Sequence, residues 1–334
     1  MSALRVQSAG PGVSIQDKGR TGYLAFGLSH GGAADTLALS EGAALLQQDE
    51  SLAVIEMAMM GGQFEASGDL RIALTGAPMS VSIDGQAIAW NASHSLPSGS
   101  CLSIGAVTAG SYGYLHVGGG IDAPCVLGAK GLHMAAGIGK KLQAGDVLEI
   151  GNDSRPHETG FTFPVHTRWN GGTIRVLPSL QSDWFDPQEL TRFEQSEFRR
   201  DTRGNRMGVR LLPDGEGFHC EAGLSVLSEV IVPGDIQVTG DGTPFVLLCE
   251  CQTTGGYPRI GAVLPADMPQ IAQAPAGSVV RFRFITLDEA LKVQREDRSY
   301  RQSLATQCQA LIRDPYAIAD LLSYQLVSGV TDGT

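Results

Sequence analysis

No zinc-type Cys-x-x-Cys pair occurs in this 334-residue chain, and none of its seven histidines falls in a His-x-His or His-Glu-x-x-His spacing. Metal sites built on those spacings are therefore not indicated. No Gly-Lys-Ser/Thr ends a glycine loop, so a Walker A nucleotide loop is excluded, and no strand–glycine–helix unit with a following acid marks a dinucleotide site. No apolar run approaches the roughly 18 residues that a membrane span needs. The opening MSALRVQSAGPG has no apolar h-region, so no signal peptide is expected. These absences predict a soluble, cytoplasmic protein with no membrane partner. Basic residues are also short: 24 Lys and Arg against 35 Asp and Glu give a net charge of −11. That sign repels phosphate backbones and argues against a nucleic-acid partner.

Glycine is abundant, at 43 residues, well above the usual share of about 7%. With short β-branched runs between the glycines, this predicts a β-rich chain of many turns. SVSIDGQAIAW alternates about Asp84-Gly85, a strong hairpin signal. Three segments, near 96–105, 142–151 and 274–284, each read as a glycine-centred turn entering a strand. Helices are few. One is predicted over 33–49. A second begins at Asp186 with Pro187 in its first turn and Glu189 completing a capping box, and a long polar C-terminal helix begins at Thr286 with Glu289. That last helix reads either as a solvated element lying across the β body or as a contact for a second chain. The polar, proline-bearing stretch 152–172 predicts a boundary near 165–172, giving β domains over 1–165 and 170–290 and a helical tail over 286–330.

Four polar clusters carry the chemistry. Residues 14–35, SIQDKGRTGYLAFGLSHGGAAD, set Gln16, Asp17, Arg20 and Tyr23 among glycines. They run into a helix whose first turn could receive an anion, or which Asp35 could simply cap. LPSLQSDWF places Gln181 and Asp183 after a strand. TRGNRMGVRL holds Asn205, Arg206 and Arg210; Arg206 suits bidentate contact with a carboxylate, or an ion pair with Asp183 or Asp201. ECQTTGGYPRIG follows the apolar PFVLL and carries Glu250, Gln252, Thr253, Thr254, Tyr257 and Arg259. An amide side chain such as Gln252 can match the donor and acceptor of a substrate amide, and Tyr257 can stack on a flat ligand. Cys249 and Cys251, two apart on a predicted strand, share a face and read as packing thiols or as a metal or redox pair. No Ser-His-Asp arrangement is evident. The clusters suggest a small, flat ligand bearing an amide or carboxylate, and composition goes no further.

In order and spacing, SIQDKGRTGYLAFGLSHGGAADTLA, VLPSLQSDWF, NRMGVRL and QTTGGYPRIGAVLPAD resemble the allophanate hydrolase subunit 2-like family, also described as the biotin-dependent carboxyltransferase family. The resemblance spans residues 4–290. Many members have Asp in place of Glu250 and Arg in place of Cys251. The resemblance implies a mainly β fold of two cyclophilin-like β-barrel domains with few helices. It implies work as one subunit of an ATP-dependent 5-oxoprolinase, which opens 5-oxo-L-proline to L-glutamate. The implied partners are an allophanate hydrolase subunit 1-type protein and a lactam-utilisation type subunit. A second branch moves a carboxyl group from carboxybiotin to urea; a third is a non-enzymatic regulator associated with a histidine-kinase inhibitor. The chain has neither a biotinyl Met-Lys motif nor a P-loop, so any biotin sits on a separate carrier and ATP is used by the complex. On this reading Gln252 and Asn205 orient the amide, Arg206 and Arg259 meet a carboxylate or carboxyphosphate, and Tyr257 stacks or donates. Gln252, Tyr257, Asn205 and Arg206 form the expected catalytic set. Gln16, Asp17, Arg20 and Tyr23 line the opposite wall of a shared cleft, with Glu250, Thr253, Thr254 and Arg259 also binding substrate.

Overall fold

A computed structural model describes residues 2–220 and 223–312. Strands dominate, joined by four α-helices among the described residues: α1 (Thr36–Leu46), α2 (Pro187–Gln195), α3 (Met268–Gln273) and α4 (Leu287–Gln307). The first half is two sheets around one core. A seven-stranded sheet includes Ala3–Ala9, Gly62–Ala66 and Cys101–Val107, and a five-stranded sheet includes Val13–Gln16, Val54–Ala58, Leu70–Gly76 and Tyr112–Val117. Alternate residues of both, such as Leu4, Val6, Phe64, Ile72 and Leu115, fill the space between them. The second half is a closed seven-stranded barrel. Its first strand, Gly172–Leu177, runs parallel to its last, Val279–Phe284, and this pairing completes the ladder. Closure removes both sheet edges. Phe193 on α2 stacks on Phe282 inside the barrel end, with ring centroids 4.8 Å apart.

Local signals produced the turns they predict. Asp84 and Gly85 have φ of 49° and 80°, the left-handed pair of a tight hairpin between Met79–Ile83 and Gln86–Ala87. The three repeated glycine turns lead into Cys101–Val107, Val147–Ile150 and Val279–Phe284. Thr286 and Glu289 form the full reciprocal box on α4. At α2 the expected box is incomplete. Asp186 accepts from the Gln188 N–H at 2.7 Å, but Glu189 turns to Arg192 and to the His219 N–H instead. The predicted helix over 33–49 is shorter, because Asp35 caps it and Gln47, at φ 48°, ends it. The strand expected to carry Cys249 and Cys251 stops at Leu247. The Glu250 N–H bonds to the Arg206 carbonyl, which turns the chain, and the two thiols join different apolar clusters. Burial pushes their pKa values up, to about 11 and about 12. Residues 313–330 of the expected tail lie outside the described residues. Helix α4 buries only Ala290 and Leu304 and packs on α1.

The two halves share one apolar cluster, to which Val54 and Tyr114 belong from the first half and Val209, Phe218 and Val246 from the second. Polar groups stitch the same joint. Gln273, fully buried on α3, accepts from the Ser111 and Tyr112 N–H groups at 3.0 Å each and donates to Asp35 and to the Tyr112 carbonyl at 2.8 Å each. Arg168, at the start of the second half, grips Asp35 at 2.7 Å and Glu41 bidentately at 2.8 Å. Among the described residues, no helix is long and apolar enough to cross a membrane.

One buried group sets a pH response. His116 lies against α1 at Gly42, where a Cβ would come within 2.2 Å of the ring. Thr75 Oγ1 donates to the Ala38 carbonyl and pairs with His116 Nε2 at 2.8 Å. Burial drives the imidazole pKa down to about 3. The unfolded chain therefore binds this proton near pH 6.5 and the folded chain does not, so stability is full above that pH and falls as acid is added. The expected slope contribution approaches 1.4 kcal/mol per pH unit between about pH 6 and 3. Denaturant titrations should show this slope in the wild type and a flatter one in His116→Gln; equal slopes would refute the assignment.

Candidate functional site

A cleft of about 520 Å³ opens between the halves. The first half contributes Ser14, Met59, Tyr112, Leu132, Met134 and Lys141; the second contributes Arg200, Asn205, Arg206, Met207 and Glu250. Met59 sits at φ 63°, a left-handed conformation rare for a non-glycine residue, and its N–H is held by the Ser111 carbonyl. A second cleft of about 440 Å³ adjoins the first across Ala135, Met207 and Glu250. Ser29, His133, Gln252, Thr253 and Thr254 make its walls polar.

Glu250 and Arg206 stand at the centre. The arginine reaches from the barrel across the joint: Nε donates to Glu250 at 2.7 Å, Nη1 to Glu56, and Nη2 to the Gly32 carbonyl at 2.5 Å. Glu56 also accepts from the Tyr114 hydroxyl at 2.7 Å and the Ala34 N–H at 2.8 Å. The other oxygen of Glu250 accepts from the Met134 N–H at 3.0 Å. Burial opposes the Arg206 charge, yet Cys249, Glu56 and Glu250 beside it hold its pKa well above the usual arginine value. The ion-pair partners expected from sequence were Asp183 or Asp201. Asp201 instead pairs with Arg203 in the loop that follows it and with Arg210 on the neighbouring strand.

The other expected site residues separate by position. Gln252, Thr253 and Thr254 line the polar cleft, and Asn205 lines the larger one, its Oδ1 accepting the Met207 N–H at 2.7 Å. Tyr257 is 42% exposed and belongs to neither wall. Arg259 is braced by Gln181, Glu229 and the Val230 carbonyl beneath the short ribbon of Glu229–Val230 and Thr254–Gly255. Gln16, Asp17 and Arg20 are buried outside both clefts. Together they fasten the 126–132 segment: Gln16 donates to the Leu132 carbonyl, Asp17 accepts the Lys130 N–H at 2.6 Å, and Arg20 donates to the Gly131 carbonyl at 2.6 Å. Tyr23 and Arg20 border a smaller pocket of about 210 Å³ with Ile231 and Val232.

The α1 N-terminus, offered by the sequence as an anion site, is filled from within. Asp35 accepts the Leu37 and Ala38 N–H groups at 3.1 and 3.2 Å, so a phosphate has no place there. His133 is also committed: Nδ1 accepts the Ala136 N–H at 3.3 Å, which leaves the ring proton on Nε2 facing Ser29 Oγ at 3.0 Å. Burial holds its pKa below the usual value, so it is neutral at pH 7.

Sequence reasoning missed Arg200, Lys141 and Tyr112 on the cleft walls. A signal for Arg200 was present. Phe198 and Arg200 are two apart on one strand, so a core-facing Phe198 turns Arg200 inward as well.

Comparison with known proteins decides the family. The model of the carboxyltransferase domain, subdomains A and B, matches residues 26–284. The chain belongs to the carboxyltransferase domain family. It is 34% identical to the C subunit of Escherichia coli 5-oxoprolinase over 90% of this chain and 97% of that protein. Against the C subunit of Haemophilus influenzae 5-oxoprolinase the identity is 33%, over 86% of this chain and 93% of that one. Urea amidolyase of Saccharomyces cerevisiae is 26% identical over 84% of this chain, which spans only 16% of its length. The fold is that of part of the Kluyveromyces lactis urea carboxylase crystal structure, with a TM-score of 0.82 and 22% identity over 94% of this chain and 31% of that one. In this family member, then, the central Arg206–Glu250 pair belongs to the NRMG and ECQTTGG motifs.

Proposed function

We propose that this chain is the C subunit of an ATP-dependent 5-oxoprolinase. It would act with an allophanate hydrolase subunit 1-type partner and a lactam-utilisation type subunit to open 5-oxo-L-proline to L-glutamate. The observation that carries this is the 33–34% identity to two 5-oxoprolinase C subunits over nearly the full length of both chains. The reaction adds water across an unreactive ring amide, so the ring must be oriented and its developing oxyanion met by fixed donors. The cleft pair supplies a small cavity with rigid polar groups at its centre. Gln252, Thr253 and Thr254 are the amide-matching groups, and Glu250 is held rigidly by Arg206 and the Met134 N–H.

Both oxygens of Glu250 and both ring nitrogens of His133 already have partners. No free base therefore stands beside the hydroxyls of these walls among the described residues, and chemistry needs groups from other subunits. ATP would meet the complex elsewhere, since Asp35 occupies the one helix start the sequence offered for phosphate. A carboxyltransferase reading, with carboxybiotin of a separate carrier as carboxyl donor to urea or another amide, draws on the family model and the urea amidolyase match.

The chain alone is expected to release no glutamate from 5-oxo-L-proline, and the reconstituted three-subunit complex to release it only with ATP. Glutamate release by the chain alone, or carboxylation of urea in place of ring opening by a complex containing a biotin carrier, would overturn the assignment.

A further inference from the structure

Arg200 is the unexplained cation of the cleft. It is 9% exposed, and its Nε is buried without a hydrogen-bond partner. No ion pair or side-chain hydrogen bond engages its guanidinium among the described residues. The adjacent carboxylate, Asp201, is taken by Arg203 and Arg210, and the charge of Arg206 is answered by Glu56 and Glu250. A buried unpaired charge is expensive, and ionisable groups perturbed by burial in a cleft mark candidate functional sites. The backbone is shaped for this side chain: a Cβ at Gly204 would lie 2.6 Å from Arg200 Nη2. Lys141 stands on the opposite wall, also without an ion-pair partner among the described residues, and the Tyr112 hydroxyl, likewise unbonded among them, lines the same space. The remaining walls are mostly apolar, from Ala58, Met59, Leu132 and Met134.

We infer that the interdomain cleft binds a small carboxylate, whose two oxygens receive the Arg200 fork while its uncharged body lies against the methionine wall. A planar fork matches a carboxylate with two parallel hydrogen bonds, which a lysine cannot do. Lys141 adds a second, solvent-screened attraction, and Tyr112 a neutral donor. Burial lowers the Arg200 pKa, and Tyr112 and Asp201 nearby oppose that shift only in part, so the charge stands incompletely answered. The class of ligand follows from this wall alone. Identifying it as the carboxylate of 5-oxo-L-proline rests on the function proposed above.

Arg200, Lys141, Tyr112 and the apolar walls all belong to this chain, so calorimetric titration of the purified full chain tests the seat they form. The probes are 5-oxo-L-proline, acetate, inorganic phosphate and 2-pyrrolidinone, the same ring without its carboxylate. The expected result is carboxylate binding that weakens with salt, with 2-pyrrolidinone at least about 10-fold weaker. Arg200→Gln and Arg200→Lys should each weaken carboxylate binding about 10- to 100-fold, the range of a lost charge-assisted hydrogen bond, and Lys141→Met should weaken it only a few-fold. Arg200→Gln should melt at or above wild type, because it removes an unpaired buried charge. Acetate bound through Arg200 with no binding of 5-oxo-L-proline keeps the anion seat and removes the 5-oxoproline reading. Four results overturn the inference: no carboxylate binding by wild type at tens of millimolar, unchanged binding by Arg200→Gln, phosphate binding tighter than either carboxylate, or both Arg200 variants melting far below wild type.

Discussion

Arg206→Met is expected to lower the free energy of unfolding by about 3–5 kcal/mol, the loss seen when one member of a buried ion pair is removed. The magnitude follows from what is left behind. Glu56 and Glu250 are almost fully buried, and without the guanidinium each keeps only neutral donors. Methionine fills the stem's volume, so the loss reports charge rather than a cavity. Adding Glu56→Gln or Glu250→Gln to Arg206→Met should recover part of it, because the stranded charge is removed. Arg206→Lys should fall between, since one ammonium cannot span three acceptors on two halves of the chain. Equilibrium denaturation of the set checks this. If Arg206→Met unfolds like wild type while ligand binding disappears, the residue serves a substrate carboxylate, as its sequence context suggests, and not the joint.

The second large effect is expected at Arg168. Its guanidinium satisfies Asp35 and Glu41, both fully buried. Arg168→Met should again cost about 3–5 kcal/mol at neutral pH. Here the loss carries a pH signature. Burial raises the Glu41 pKa even with Arg168 in place, and the arginine is the main opposing influence. Removing Arg168 raises it further. The folded state then holds a proton that the unfolded state releases, so stability declines as pH rises from the unfolded carboxylate value through the raised folded one. The gap between variant and wild type should therefore narrow toward mildly acidic pH. A gap that stays constant or widens on acidification would show that Glu41 does not carry the penalty.

Legibility in the sequence followed the range of the interaction. Asp84-Gly85, the Thr286 box and the glycine turns are decided by residues a few positions apart, and each is found where expected. The pairing of Gly172–Leu177 with Val279–Phe284 spans more than a hundred residues and has no local signature. The site shows the same division. Gln252, Thr253 and Thr254 reach a cleft wall because they directly follow Glu250, which Arg206 anchors at the joint, while Tyr257 farther along the same loop does not. Gln16, Asp17 and Arg20 look equally chemical in sequence, yet they bind backbone of a loop more than a hundred residues away. A carboxylate that ties down a loop and one that meets a substrate are the same residue type. Only the register of the strands decides which wall receives which side chain, and that register put Arg200, unremarked among its neighbouring arginines, inside.

The apolar cluster common to both halves has a mechanical consequence. A cleft between two lobes often closes on its ligand as a hinge turns. Here a hinge motion would expose Val54, Tyr114, Val209 and Phe218 to water, and would strip Gln273 and Arg206 of partners. The cleft is a socket and not a jaw. A ligand enters a shape already set, and little chain entropy is lost when it arrives. Adaptation is left to the unbranched side chains at the mouth, Met59 and Met134, each about half exposed. Selectivity in such a socket comes from what fits between fixed walls, with closure contributing nothing to it.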